Sequence, residues 1–303
     1  MLHLPDHWVW DSWYATDDEG LHHAFFLRAS RALLNPERRH RHASIGHAVS
    51  ADLRDWHLVA DSLVPADDPS WDDLATWTGS VVKGPEGRWY MFYTGVSRSD
   101  DGLVQRIGLA TSADLITWER HGAKPLVEAD PAWYERLSIE DWHEEAWRDP
   151  WVFPDPAGDG WHMLITARAN HGAAEGRGVI GHARSDDLLH WEVRPALSAP
   201  AGFGHLEVPQ VAVIDGQPLL MFCTDKPEPR IWAVPGPSLT GPWDISQARP
   251  VNCPDLYAPR LIRDSAGIWH LIGFISSRTH GFVGVLSDPV PVRYTTSRGL
   301  HGT

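Results

Sequence analysis

Apolar and aromatic residues come in short runs along this chain, each closed off by Gly, Pro, Asp or Ser, and that pattern predicts strands. No long helical period interrupts it; the one exception expected is a short helix around Pro131–Leu137. The runs repeat. Ile45-Gly46-His47-Ala48-Val49-Ser50 leads into Ala51-Asp52-Leu53-Arg54-Asp55-Trp56. Ile107 to Ser112 leads in the same way into Asp114-Leu115-Ile116-Thr117-Trp118, and Ile180 to Ser185 into Asp187-Leu188-Leu189-His190-Trp191. Ile231 to Val234 followed by Trp243 is a degenerate copy, and Val283 to Ser287 keeps only the strand. A second run precedes each of these, as in Trp89-Tyr90-Met91-Phe92-Tyr93, Trp161-His162-Met163-Leu164-Ile165 and Trp269-His270-Leu271-Ile272.

Each unit therefore reads as four strands joined by turns. Four strands repeated in this way fit a propeller blade. Five units predict an all-β, five-bladed β-propeller with four antiparallel strands per blade. The blades are expected at about 8–60, 77–120, 148–194, 207–245 and 257–296, within one domain spanning 1–303. Almost nothing follows the fifth unit, so no C-terminal β-sandwich is expected. A plain β-sandwich would not require this internal similarity. The repeat also assigns Trp56, Trp118, Trp191, Trp243, Trp89, Trp161 and Trp269 to blade packing. Trp10, Trp13, Trp77, Trp147 and Trp151 fall outside it and are candidates to face a ligand.

Charge narrows the partners. The 303 residues hold 26 Lys plus Arg against 40 Asp plus Glu, a net charge of −14. That excess disfavours nucleic acid and anionic membrane surfaces. Cys223 and Cys253 do not make a disulfide framework. The N-terminus has neither a basic nor an apolar leader region, and no run is long enough to span a membrane, so a cytoplasmic location is expected. No His-Glu-x-x-His or nucleotide fingerprint is present, and no metal or cofactor is expected.

In a propeller the first strand of each blade lines the axis, so the starts of the first strands converge. Asp11, Asp149 and Glu207 stand at the starts of units one, three and four, at what reads as one common position. An acidic cluster at the mouth of the channel follows. Like charges that close raise one pKa, giving a general acid, while Arg148 keeps a neighbour ionised. Two such carboxyl groups can cleave a glycosidic bond. Two other charged segments, Arg38 to His42 and Glu140 to Glu145, read as solvated loops; the alternatives are a contact with a phosphate-bearing substrate for the first and a cover over the pocket for the second.

These motifs resemble the five-bladed propeller glycosidases of families 32 and 68, related to family 43. Trp10-Asp11-Ser12-Trp13 is similar to the nucleophile motif of family 68, and Trp77-Thr78-Gly79-Ser80 to its Trp-Ser-Gly-Ser segment. Arg148-Asp149-Pro150 matches the Arg-Asp-Pro motif of both families. Glu207-Val208-Pro209 resembles the motif that carries the acid, with Val208 where Cys or Arg is usual. The resemblance implies Asp11 as nucleophile, Glu207 as general acid/base and Asp149 as transition-state stabiliser. It implies that Arg148 orients the acids and that Ser80 bonds Asp11, with Trp10, Trp13, Trp77 and Tyr257 at the substrate. The implied substrate is a small carbohydrate, a β-fructofuranoside such as sucrose or a fructo-oligosaccharide, cleaved with retention and with fructosyl transfer open. An inverting family 43-like arabinofuranosidase or xylosidase would use the same three positions. A non-catalytic sugar-binding propeller is the reading from another class.

Overall fold

The computed structural model describes residues 1–158, 160–226, 228–253, 255–278 and 281–303. Five antiparallel sheets follow one another along the chain and form a five-bladed β-propeller. Their inner strands are His7–Thr16, Ala75–Lys83, Trp147–Pro154, Glu207–Ile214 and Leu256–Arg263. Each inner strand packs on those of the neighbouring blades, and the fifth returns to the first.

The repeated Asp-Leu-x-x-Trp segment is a capped turn. The carboxylates of Asp52, Asp114 and Asp187 each accept two backbone N–H groups two and three residues ahead. Leu53, Leu115 and Leu188 then take left-handed φ values of 63°, 64° and 68° and are buried. The Trp118 and Trp191 indoles donate to the carbonyls of Leu115 and Leu188, each at 3.0 Å. The same rings wedge edge-on against Phe25 and Phe92 of the preceding blade. One local motif thus turns the chain into the short fourth strand and supplies an aromatic wedge between blades.

Two stretches of the chain differ from expectation. Blade five ends later than 296: its outer hairpin pairs Val290–Thr295 with Gly299–Gly302. Its second strand, Trp269–Arg278, also pairs with Gly281–Leu286, making five strands in place of four. Pro131–Leu137 is a turn and not a helix. Tyr134 bridges to Ala169, and its hydroxyl donates to the Arg194 carbonyl at 2.6 Å, so the segment docks on blade three. At the other end of the chain, Leu2 bridges to Leu286 and ties the N-terminal residues to blade five.

Candidate active site

Every inner strand is broken at the same point. Pairing with the second strand skips between Trp10 and Ser12, Trp77 and Gly79, Arg148 and Trp151, Glu207 and Gln210, and Tyr257 and Arg260. These are β-bulges, which bend a strand and re-aim its side chains. The first bulged residue carries a left-handed φ in four blades: 26° at Asp11, 58° at Asp149, 51° at Val208 and 44° at Ala258. Such backbone is costly for residues other than Gly, and it gathers at functional sites.

The bulges correct the expectation of one common acid position. Asp11 and Asp149 occupy the bulge itself, together with Thr78, Val208 and Ala258. Glu207 stands one residue earlier, in register with Trp10, Trp77, Arg148 and Tyr257. Aligning Pro150, Pro209 and Pro259 would have shown this from the residues alone.

A cavity of about 1170 Å³ opens over these bulges. Asp11, Asp149 and Glu207 all line it, and so do Trp10, Trp77, Arg148 and Tyr257. Asp149 is buried. Its Oδ2 accepts the Thr166 hydroxyl at 2.8 Å and the Val208 N–H at 3.1 Å, while Arg148 Nε lies 3.7 Å away. Thr78 donates to Asp11 Oδ2. Glu207 accepts Arg148 Nη2 at 2.9 Å on one oxygen and the Tyr257 hydroxyl on the other.

Burial pushes the Asp11 carboxyl up to about 7; the Asp149 charge adds to this, and the Thr78 bond opposes it. Glu207 is also raised, by burial first. Arg148 and the Tyr257 bond pull it back, and Asp149 pushes it up again. Near neutrality the cup therefore holds two carboxyl groups, Asp11 and Glu207, both shifted toward the protonated form by surroundings that differ. That is the equipment for a nucleophile beside an acid.

Two residues expected at the substrate are elsewhere. Trp13 is fully buried and stacks on Phe25 at 6.3 Å, because the bulge at Asp11 shifts the alternation and sends Trp13 into the core. Ser80 does not bond Asp11. Its hydroxyl accepts the Val152 N–H at 3.1 Å and ties blade two to blade three, and the Asp11 partner is Thr78. Of the other tryptophans outside the repeat, Trp147 is fully buried against Tyr134 and Trp151 lies beside Arg260.

The two charged loops build the cavity walls, the alternative place for Glu140 to Glu145. Arg38 to His42 lies in a 3₁₀ turn, Pro36–His42, capped by Asn35. Arg38 and His42 face solvent, but Arg39 is buried over Trp10 at 5.6 Å and Phe282 at 4.1 Å. The His40 carbonyl accepts the Trp77 indole at 2.7 Å. In the acidic loop Trp142 stacks over Arg168 at 3.6 Å, and Glu144 turns inward to bond Arg148 at 2.7 Å. Glu145 points the other way and accepts the Leu137 N–H. Below the cup, the fully buried Arg260 donates to the Pro209 carbonyl at 2.6 Å and reaches the Gly79 carbonyl at 3.4 Å. It binds the bulges of blades two and four across the axis.

Comparison with known proteins gives relatives for this architecture. The chain is 30% identical over 157 residues to the sucrose:sucrose 1-fructosyltransferase of Festuca arundinacea, a match covering 49% of this chain and 21% of that protein. It is 29% identical over 158 residues to beta-fructofuranosidase 1 of Zea mays, again covering 21% of the relative. The chain thus spans about a fifth of the length of these curated relatives. In fold it is similar to the inulosucrase from Halalkalicoccus jeotgali bound to kestose, with a TM-score of 0.77 at 22% identity over 100% of this chain and 90% of that one. The model of the glycosyl hydrolases family 32 N-terminal domain matches residues 4–280. The chain belongs to glycosyl hydrolase family 32.

Proposed function

We propose that this protein is a glycosidase that cleaves β-fructofuranosides, sucrose or short fructans, by a retaining double displacement. The observation that carries the reading is the convergence of Asp11, Asp149 and Glu207 on one cavity, with Glu207 held between Arg148 and Tyr257. Family membership supports it, as do the fructosyl-transferring and fructosidase relatives.

In the first step the ionised Asp11 attacks the anomeric carbon of the fructosyl unit. The bond to the leaving oxygen breaks, and that oxygen takes the Glu207 proton. In the second step Glu207, now ionised, removes a proton from water. The water oxygen displaces Asp11 and regenerates both groups. Asp149, fixed by Thr166 and the Val208 N–H, presents a carboxylate to the sugar as positive charge grows on its ring. A second sugar in place of water makes the same intermediate a fructosyl donor.

Product analysis after incubation with sucrose, inulin, levan and aryl arabinosides tests the reading. Release of fructose is expected, with loss of at least about a thousandfold in kcat for Asp11→Asn and Glu207→Gln. Release of arabinose alone, or glycan binding without turnover that survives both substitutions, overturns it.

A further inference from the structure

Arg148 is shared. Its Nη2 bonds Glu207 at 2.9 Å, while its Nη1 bonds Glu144 at 2.7 Å and the Gln105 side-chain carbonyl at 3.0 Å. Gln105 is fully buried in blade two, and its amide donates to the second Glu144 oxygen at 2.8 Å. The Trp147 backbone N–H fixes the Gln105 carbonyl at 3.2 Å. His205 lies beside Glu144 with Nε2 at 3.3 Å, but that nitrogen accepts the Trp142 indole N–H at 3.2 Å, and burial keeps the ring neutral. A glutamate from a surface loop is thus held by two partners, Arg148 and Gln105, at the mid-point of a chain running from Gln105 to Glu207.

Resting on the reading of Glu207 as the general acid, we propose that Glu144 is a positioning residue. It competes with Glu207 for Arg148 and so sets the pH range over which Glu207 delivers its proton. The reason is electrostatic. A guanidinium bonded to one carboxylate only would hold that group in its ionised form. A second carboxylate on the same guanidinium offsets that charge and leaves Glu207 free to keep its proton. Burial would lift the Glu144 carboxyl, but Arg148 outweighs burial and holds it below the usual range. Glu144 is therefore the ionised member when Glu207 is the protonated one.

The test is the pH profile of kcat/KM on sucrose for the wild type and for Glu144→Gln, Glu145→Gln and Gln105→Met. Glu144→Gln is expected to move the alkaline limb down by about one pH unit, the scale of a neighbouring charge, with KM changed less than about twofold. Gln105→Met loosens Glu144 without removing its charge and gives a smaller shift in the same direction, so it serves even where Glu144→Gln does not fold. Glu145→Gln, in the same loop but turned away from Arg148, leaves the limb in place. An unmoved limb in Glu144→Gln or in Gln105→Met overturns the proposal. So does a KM rise without a limb shift, or an equal shift in Glu145→Gln. Glu207→Gln tests the underlying reading separately: an alkaline limb that persists there removes Glu207 as the acid, whatever Glu144 does.

Discussion

The Thr78 hydroxyl donates to Asp11 Oδ2 across 2.5 Å, from the bulge of one blade to the bulge of its neighbour. This bond favours the ionised carboxylate and works against the burial and the Asp149 charge that hold Asp11 at about 7. Thr78→Val removes the bond and keeps the shape. Asp11 then titrates above 7, and the acid limb of kcat/KM moves to higher pH by about one unit, costing about tenfold in rate below neutrality. A limb that stays in place counts against ionised Asp11 as the attacking group.

Asp11 also couples stability to pH. Its folded pKa of about 7 lies above the ordinary 3.8, so the fold favours the neutral carboxyl. That contribution is full below about 3.8 and is lost as pH rises through about 7. Asp11→Asn keeps the neutral form at every pH. Its melting temperature should exceed that of the wild type by a margin that grows between pH 4 and 7 and then levels off. Calorimetry across that range checks the trend, and a margin that shrinks with rising pH contradicts it.

Acid should loosen blades one and three first. In blade three His162 Nδ1 lies 2.8 Å from His182 Nε2, with Asp155 3.1 Å beyond the other nitrogen of His162. Blade one repeats the arrangement with His23, His47 and Asp17. Burial, followed by the neighbouring imidazole, lowers His182 to about 4 and His47 to about 3 from the usual 6.5. The folded state therefore prefers these rings neutral. That stability is present above 6.5 and is lost as pH falls toward 4. His182→Gln should flatten the decline in melting temperature between pH 7 and pH 4.5 relative to the wild type. A decline as steep as the wild type's would show that His182 does not drive it.

Gly79 admits no side chain. A Cβ there would stand 2.1 Å from the Phe92 carbonyl oxygen, which is backbone and cannot swing aside. Gly79→Ala should cost about 3 kcal/mol and displace Thr78 with it. Urea denaturation reads the loss directly, and a change under about 1 kcal/mol would contradict the close approach.

How much of this was legible in the residues depends on how local the cause is. The blade repeat was readable because the Asp-Leu-x-x-Trp turn builds its own cap, leucine anchor and indole bond within six positions. The acids stood out because they open the innermost strands. The one-residue offset of Glu207 was legible only through the shared Pro150, Pro209 and Pro259, since the bulge behind it is a property of pairing between two strands. The same slip sent Trp13 inward while Trp10 stayed at the cavity. Arg39 and Glu144 were hidden by company: each sits in a run of charged residues, and only the turn that carries it decides which one points at the cavity. Arg260 looked like an ordinary strand residue, because its partners are carbonyls from blades two and four.

The shared kink has a consequence for how such a fold can change. Thr78 and Val208 hold the same backbone place as the two aspartates and already border the pocket, yet neither carries a charge. Both stand at the bulge, and Val208 shares the left-handed backbone of the aspartates as well. A single substitution at either one would aim a new reactive group into the pocket without rebuilding a loop, so rotational near-symmetry gives this scaffold spare sockets for innovation.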